Sequence, residues 1–274
     1  MKREELYRAI ELPKEITERL DVIEKELDLD ALEPFLQKMM IPSTAEEGYL
    51  TLKAHLNEDS DQLRMLFCQL ECACRQHEAY EQKEISDKIF PATMKCFTRF
   101  IRECERRHGH MYFDRGWWTY RQISMSLFRI GDLEYEMNTC SIGGPDKEPV
   151  ICIHIPSDAV FSEVSVDMSL QLADIFFAKK YPDHASVPYI CESWLLSPVL
   201  KDLLDEDSRI LSFMERFRIY RTEERNMDFL EWLFRVPEDF PAKDLPEETS
   251  LQKKAKKRLL EGTPLGAAYG LLLS

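Results

Sequence analysis

Apolar residues recur at helical spacing through the first 110 residues of the chain. Between Asp61 and Tyr80 they fall every three or four positions, which places one apolar stripe along a helix. Asp59 stands just before this stretch, three residues ahead of a glutamine, which is the spacing of a capping pair. A second stripe follows Pro91, a residue that a first helical turn tolerates, and Gly109 predicts its end. The pattern predicts an all-helical N-terminal region.

Beyond Trp117 the pattern changes to alternation. Residues alternate from Gln122 to Arg129 and again over 133–137, which predicts two strands, at 120–128 and 133–137, around the turn signal Gly131-Asp132. The run 150–155 is almost wholly apolar, as expected of a central strand that is buried on both faces.

Helical periodicity returns over 162–180, and 187–196 is extended again. A strand that passes through a helix into a neighbouring strand makes a crossover, and crossovers build an α/β core with a cleft at the strand ends. Further along, the pattern predicts a helix that begins at Pro198 and continues toward Phe217, a strand over 217–222, helices near 228–235 and 248–261, and a last strand within 265–273.

The composition narrows the functional classes. Hydrophobic residues make up 44% of the 274 positions, enough for a core. The net charge is −14, and residues 1–114 and 115–274 each carry −7 (17 basic against 24 acidic, and 19 against 26). An acidic surface repels phosphate backbones, so no nucleic-acid partner is expected. No apolar run nears the roughly 20 residues that cross a bilayer, and the N-terminus lacks an apolar signal core, so we expect a cytoplasmic protein with no membrane partner.

Eight cysteines are present, and five of them lie within 68–104 on helical patterns. Cys68 and Cys72 share a helix face, whereas Cys74 points elsewhere. The paired C-x2-C spacing of a zinc site does not occur, so we expect reduced, buried thiols and no bound metal.

Several short segments are distinctive when they are taken together. They are ISDKIF at 85–90 with ATM at 92–94, WW at 117–118, RQ at 121–122, FRIGDLEYE at 128–136, HIPSDA at 154–159 and CESWLL at 191–196. In these segments the chain resembles a bacterial family of GNAT-like N-acyltransferases with a helical N-terminal domain, over roughly residues 40–274.

The resemblance implies a fold and a reaction. The fold is α/β (α+β), with a helical N-terminal domain (1–114) packed on a GNAT-like mixed sheet with flanking helices (115–274). The reaction is transfer of an acyl group from an acyl-thioester donor, such as acyl-CoA, to an amine of a small-molecule substrate. It leaves the acceptor, the acyl chain length and the oligomeric state open.

The loop ahead of the 162–180 helix departs from the family pattern. GNAT enzymes grip the coenzyme A pyrophosphate there with a glycine-rich loop and a helix N-terminus. Residues 155–163 hold no glycine, and Pro156 has no amide proton to donate. Ser157 and Ser162 are the residues that would replace this grip. The same departure favours an alternative, a non-catalytic small-molecule-binding or sensor module on the same fold.

Two side chains are the candidates for the proton acceptor. His154 ends the predicted central strand and suits amine deprotonation near neutral pH, or it is a hydrogen-bonded histidine at a strand end. Glu192 lies on the next strand, where a carboxylate is costly to bury without a partner, so it is either functional or part of an ion pair. Asp158 would orient His154 or bind the substrate amine, or it caps the local turn.

Four further residues complete the candidate site. Alternation puts Cys191 and Ser193 on one face of their strand, and Trp194 with Glu192 on the other. Cys191 is a buried thiol or a nucleophile paired with His154, which would make the protein an acyl carrier or hydrolase. Ser193 and Trp194 would line the cleft, and Arg129 would bind an anionic substrate or form an exposed ion pair at the hairpin.

Overall fold

A computed structural model describes residues 1–56, 58–237 and 240–273. Its α-helices are α1 (Arg3–Ala9), α2 (Lys14–Glu26), α3 (Leu29–Met39), α4 (Ala45–Leu56), α5 (Leu63–Gln82), α6 (Ile89–Met94), α7 (Cys96–His108), α8 (Gly116–Ile123), α9 (Glu163–Lys180), α10 (Arg209–Met214) and α11 (Ser250–Leu260). Its strands are β1 (Leu127–Ile130), β2 (Leu133–Cys140), β3 (Glu148–His154), β4 (Tyr189–Ser193), β5 (Phe217–Glu223) and β6 (Ala267–Leu272). The chain divides into two compact units, Met1–Ile130 and Gly131–Ser274.

Helix α5 is the central element of the first unit. Its buried side chains include Leu66, Phe67 and Leu70, the apolar stripe that the sequence predicts. Asp59 caps it, since its carboxylate accepts hydrogen bonds from the amides of Arg64 (3.1 Å) and Met65 (2.9 Å). The predicted all-helical N-terminal region is confirmed for this part of the chain.

The segment 116–123 corrects the sequence analysis. The predicted strand over 120–128 is wrong in its first half, where α8 runs from Gly116 to Ile123, and only its end belongs to β1. Gln69 fixes α8 against α5: its side-chain amide donates to the carbonyl of Gly116 (2.9 Å) and accepts from the hydroxyl of Thr119 (2.6 Å). Burial of Gly116, Thr119 and Ile123 follows helical spacing, a period that the alternating neighbours masked.

The second unit is a mixed sheet in the order β2-β3-β4-β6-β5. β2 and β3 are antiparallel, β3 and β4 are parallel, and β6 runs antiparallel to both β4 and β5. The last strand therefore lies between β4 and β5. The predicted crossover is confirmed: β3 leads through α9 into its parallel neighbour β4.

One face of this sheet packs on α9. Ser162 caps the helix by accepting a hydrogen bond from the amide of Ser165 (3.2 Å). Further along the helix, the Ser169 hydroxyl lies 2.9 Å from the hydroxyl of Tyr135 on β2. The ring of Phe177 lies against Tyr135 and Tyr189, with centroids 6.5 and 6.4 Å apart. These contacts cover the sheet face on which Tyr135 and Tyr189 lie.

Two predicted helices prove shorter and of other types. The helix expected after Pro198 is a 3-10 turn (Pro198–Asp202) followed by α10, and the one near 228–235 is a π-helical turn (Leu230–Phe234). Within the three described ranges, no helix is long and apolar enough to cross a membrane.

Gly266 ties the start of β6 to the end of β5. Its φ is +68°, and a Cβ there would lie 2.7 Å from the carbonyl oxygen of Glu223 and 2.9 Å from the Cα of Glu224. Gly262 has φ +78° with no atom within 4 Å of such a Cβ, which makes it a matched control.

We expect Gly262→Ala to lower the free energy of unfolding by about 1 kcal/mol, the usual cost of a left-handed alanine. Gly266→Ala should cost on the order of 3 kcal/mol, because a backbone clash adds to the same strain. Urea unfolding of both variants measures the difference. Equal losses would show that β6 tolerates displacement from β5.

Candidate active site

The pairing of β3 with β4 is short, and it stops before the last residue of either strand. Three pairs form, from Ile151–Tyr189 to Ile153–Cys191. Beyond them, the register of the described strands pairs Glu192 and Ser193 with β6 alone. The chain leaves β3 after His154, and Pro156 follows in the turn. The two central strands therefore separate at their carboxyl ends, where α/β folds hold ligands.

The register places a row of polar side chains on the sheet face that is turned away from α9. Paired residues share a face, and alternate residues of a strand return to it. Glu136 is opposite Cys152, and Glu192 is opposite Tyr269. The parallel pairs put Cys152 on the same face as Ile190, and therefore as Glu192. The following members lie on this face, which we call the polar face: Glu134, Glu136, Cys152, His154, Glu192, Arg221, Glu223 and Tyr269.

His154 and Glu136 form the first contact on the polar face. The imidazole Nε2 lies 2.9 Å from a carboxylate oxygen of Glu136, across the β2–β3 ladder. The Glu136 side chain is 10% exposed and that of His154 is 26% exposed, so the pair is sheltered but reachable from solvent. A carboxylate on one ring nitrogen fixes the tautomer and stabilises the imidazolium, the arrangement of a general base with its orienting group.

Glu192 and Tyr269 form the second contact. The phenol of Tyr269 donates to a carboxylate oxygen of Glu192 (2.6 Å) and lies 3.2 Å from an oxygen of Glu223. Arg221 forms an ion pair with Glu223, and its guanidinium lies 4.5 Å from the centroid of the Tyr269 ring. One phenol proton serves one carboxylate at a time, and Arg221 supplies the donor for Glu223. Of the two carboxylates, Glu192 is exposed and Glu223 is half-buried.

The pKa of Tyr269 is raised, first by burial and then by its hydrogen bond and charge interaction with Glu192. The phenol therefore keeps its proton at neutral pH. In that state it is a fixed hydrogen-bond donor that orients the Glu192 carboxylate.

The two cysteines of β3 and β4 are poor nucleophiles in this fold. Burial raises the pKa of Cys152 to about 12, with the Glu136 charge adding to it. Cys191 is fully buried, and burial raises its pKa as well. Alternation also turns Cys191 to the α9 side, whereas His154 lies on the polar face, so the structure does not bring the predicted Cys–His pair together.

The loop between β3 and α9 is where the sequence departs from the family pattern. Ser157 and Asp158 are exposed in a turn that the Ala159 amide closes onto the Pro156 carbonyl (3.0 Å). Ser162 acts as the helix cap.

Asp132 occupies some of the hydrogen-bond donors near the start of α9. Its carboxylate accepts from the amide of Val160 (3.3 Å) and from the hydroxyl of Ser165. The Asp132 carboxylate thus accepts hydrogen bonds that a phosphate bound at this end of the helix would otherwise accept.

The remaining predicted residues lie in different places. The Ser193 hydroxyl accepts from the amide of Leu195 (3.1 Å), which starts a 3-10 turn at the half-buried Trp194. Arg129 belongs to the first unit, where its amide donates to the Thr93 hydroxyl (3.0 Å). It is buried, as are Glu134 and Glu136, so the idea of exposed hairpin ion pairs is wrong.

Sequence reasoning missed Glu136 and Tyr269 as members of the site. Glu134 and Glu136 alternate with Leu133, Tyr135 and Met137 in the first part of β2, which puts two carboxylates on one face. A buried carboxylate requires a partner, so this pair was a usable signal. Tyr269 gave none, because its contact with Glu192 depends on β6 lying beside β4.

Comparison with known proteins agrees with this architecture. A family model described as "GNAT-like C-terminal domain" matches residues 127–272. One described as "N-acyltransferase N-terminal domain" matches residues 1–125. Among curated proteins, none matches the sequence.

Solved structures of an acyltransferase share the fold. One is in complex with decanoyl-CoA and teicoplanin (19% identity, TM-score 0.71, 99% of each chain covered). Another is in complex with CoA and 10C-teicoplanin (19% identity, TM-score 0.72, 99% of each chain covered). At 19% sequence identity, this structural similarity shows a shared fold. Because the C-terminal domain model covers more than half of its residues, the chain belongs to the family of GNAT-like proteins with an N-acyltransferase-type N-terminal domain.

Proposed function

We propose that this protein is an N-acyltransferase that moves an acyl group from an acyl-thioester donor of the acyl-CoA type to the amine of a small molecule. One observation carries the proposal: the β3–β4 ladder ends at Ile153–Cys191, and His154 and Glu192 follow at that opening on one sheet face. A thioester carbonyl held there has a base within reach on the same side. Family membership and the acyl-CoA complexes of the solved acyltransferases support the donor class.

His154 is the proton acceptor in this proposal. The amine nitrogen attacks the thioester carbonyl, the C–S bond breaks, and the ammonium proton passes to the imidazole. The Glu136 carboxylate, 2.9 Å from Nε2, stabilises the imidazolium that forms. The imidazolium then returns the proton to the departing thiolate, so the histidine ends in its starting state.

Glu192 holds the acceptor. Its carboxylate is exposed, and the Tyr269 phenol orients it through a 2.6 Å hydrogen bond. An amine arrives as an ammonium ion near neutral pH, and a carboxylate beside the base attracts it; the ion releases one proton to solvent before its nitrogen attacks, and the second proton takes the path through His154. Binding and deprotonation are thereby divided between two side chains on neighbouring strands.

A second candidate is a binding or sensor module without catalysis. The observation that favours it is Asp132, whose carboxylate accepts from Val160 and Ser165 near the α9 N-terminus. Under this candidate, purified protein examined by native mass spectrometry would retain a stable non-thioester ligand, and no acyl transfer would accompany it.

We expect the donor to be recognised by its acyl-pantetheine arm more than by its pyrophosphate. Decanoyl-pantetheine should bind within about tenfold of decanoyl-CoA, because the 155–161 loop has no glycine and Asp132 engages the Val160 amide. Isothermal titration measures both affinities, with free decanoate as the control. A loss beyond roughly 100-fold without the nucleotide would indicate a conventional phosphate grip. No binding of either thioester at millimolar concentration would reject the acyltransferase itself.

His154→Gln should lower kcat by on the order of 10² to 10⁴ on any amine that is turned over, with donor affinity unchanged. Glu136→Gln keeps the shape but removes the charge behind the imidazole, so kcat should fall at least about tenfold. Mass spectrometry of the acylated amine, with a panel of amines, gives the rates.

Glu148→Gln is the matched control for this series, since Glu148 is exposed at the far end of the β2–β3 ladder and should change nothing. Glu192→Gln should raise KM for the amine more than it lowers kcat. If His154→Gln retained full kcat while Glu192→Gln lost it, the two roles would be reversed.

Cys191 should resist iodoacetamide at pH 7 during a period in which the partly exposed Cys140 is labelled. Burial raises the pKa of both thiols, but Cys191 is also fully enclosed. A raised pKa means less thiolate at pH 7, so labelling should accelerate as the pH rises toward 10. Peptide mapping measures each site. Rapid stoichiometric labelling of Cys191 at pH 7 would restore the thiol nucleophile as a candidate.

A further inference from the structure

Helix α9 carries an exposed apolar stripe on the side that faces away from the sheet. The stripe starts in the preceding loop and continues along the helix at spacings of four and three residues. Its members and their exposed fractions are Val160 (57%), Val164 (75%), Met168 (52%), Leu172 (42%) and Ile175 (64%). We call these five residues the α9 stripe.

An apolar outer face is unusual for a helix that already has an apolar inner face. The inner face buries Val166, Ala173 and Phe177 against the sheet. A helix at a protein surface normally presents polar residues to water, and one that is apolar all round is covered on both sides. Contiguous apolar patches of several hundred Å² mark interaction sites on soluble proteins.

We propose that the α9 stripe is the interface of a homodimer in which two α9 helices pack antiparallel across a two-fold axis. The exposed fractions amount to on the order of 500 Å² of surface, over half of the roughly 800 Å² that each partner buries in a standard interface. A two-fold axis presents the same patch on both sides, so a straight apolar stripe is complementary to itself.

The charges on α9 select the antiparallel orientation. Glu163 lies in its first turn, and Lys179 and Lys180 lie in its last turn. Antiparallel packing brings the acidic start of each helix toward the basic end of the other, whereas parallel packing would align like charges. The helix dipoles favour the same arrangement.

The acidic side chains beside the stripe are engaged within their own chain. Asp167 forms an ion pair with Arg216, and Glu163 accepts a 2.7 Å hydrogen bond from the Ser212 hydroxyl. Arg216 therefore balances the charge of Asp167, while Glu163 keeps its negative charge for the basic end of the other helix. A bilayer of anionic lipid is a poorer occupant, because the chain has a net charge of −14 and the stripe itself offers no basic cluster.

The register of the pair follows from the stripe. Val164 and Ile175 are eleven positions apart, about 16 Å along a helix axis. With Met168 and Leu172 near the two-fold axis, Val164 of one copy lies opposite Ile175 of the other. That pairing gives a test in which two disruptive substitutions should compensate each other.

Sedimentation and light scattering of the full chain at micromolar concentration should give twice the 32.3 kDa chain mass. Val164→Glu alone and Ile175→Lys alone should each weaken the dimer by roughly 100-fold, because a charge enters an apolar seam. Mixing the two variants should restore a dimer, since the carboxylate introduced in one copy then faces the ammonium group introduced in the other, and the second contact stays apolar. Parallel packing gives no such rescue.

Val22→Glu and Leu50→Lys are the matched controls, because both residues are 55% exposed on other helices. They should leave the dimer intact, and thermal unfolding should show that all four variants stay folded. A monomeric wild-type chain at about 100 μM, where a standard-size interface would be occupied, or a dimer that Val164→Glu leaves unchanged, would overturn the proposal. Dimerisation that the single substitutions abolish but the mixture does not restore would overturn the antiparallel register.

Discussion

The parallel pairing of β3 with β4 through α9 is the constraint on which the rest of the second unit depends. Only three residue pairs form it, so contacts of the crossover helix must help to hold the strands in place. Ser169 contacts the Tyr135 hydroxyl, and Phe177 lies against Tyr135 and Tyr189 on the same sheet face. Because α9 holds one face, the strands can separate at their carboxyl ends without losing their alignment. β6 then pairs with β4 where β3 departs, which keeps that end of β4 in a ladder.

Keeping charged side chains on the polar face costs the fold free energy, so this face is informative about function. A carboxylate or imidazole in a sheltered place costs free energy unless another group balances it. His154 and Glu136 balance each other across the β2–β3 ladder, Tyr269 serves Glu192 across the β4–β6 ladder, and Arg221 serves Glu223 within β5. Apolar residues at these positions would make a sheet at least as stable. In the proposed acyl transfer, these groups would serve the opening between β3 and β4, where His154 and Glu192 follow the last pair of the ladder.

The sequence predicts β3 and α9 better than it predicts α8 or the partners of Tyr269 and Glu136. The apolar run of β3, the Ser162 cap and the period of α9 are local signals, and each is where the pattern places it. Helix α8 was misinterpreted because polar and apolar residues alternate over 122–127, and this alternation overlaps the end of the helix. Tyr269 could not be found at all, since strand order is a non-local property that the chain around residue 269 does not encode. Glu136 lay between these cases: its face was predictable, but its partner required the β2–β3 register.

Helix α9 connects the proposed chemistry to the proposed assembly. Its inner face contacts Tyr135 on β2 and Tyr189 at the start of β4, and its first turn follows the loop that carries Ser157 and Asp158. A helix whose outer apolar face lies in solvent can shift by small amounts, and catalytic geometry is sensitive to shifts of about 1 Å. A second copy packed on the α9 stripe would hold the helix from the outside as well. The same surface would then contribute to the precision of the opening, which gives a physical reason for keeping apolar residues on a face that water would otherwise reach.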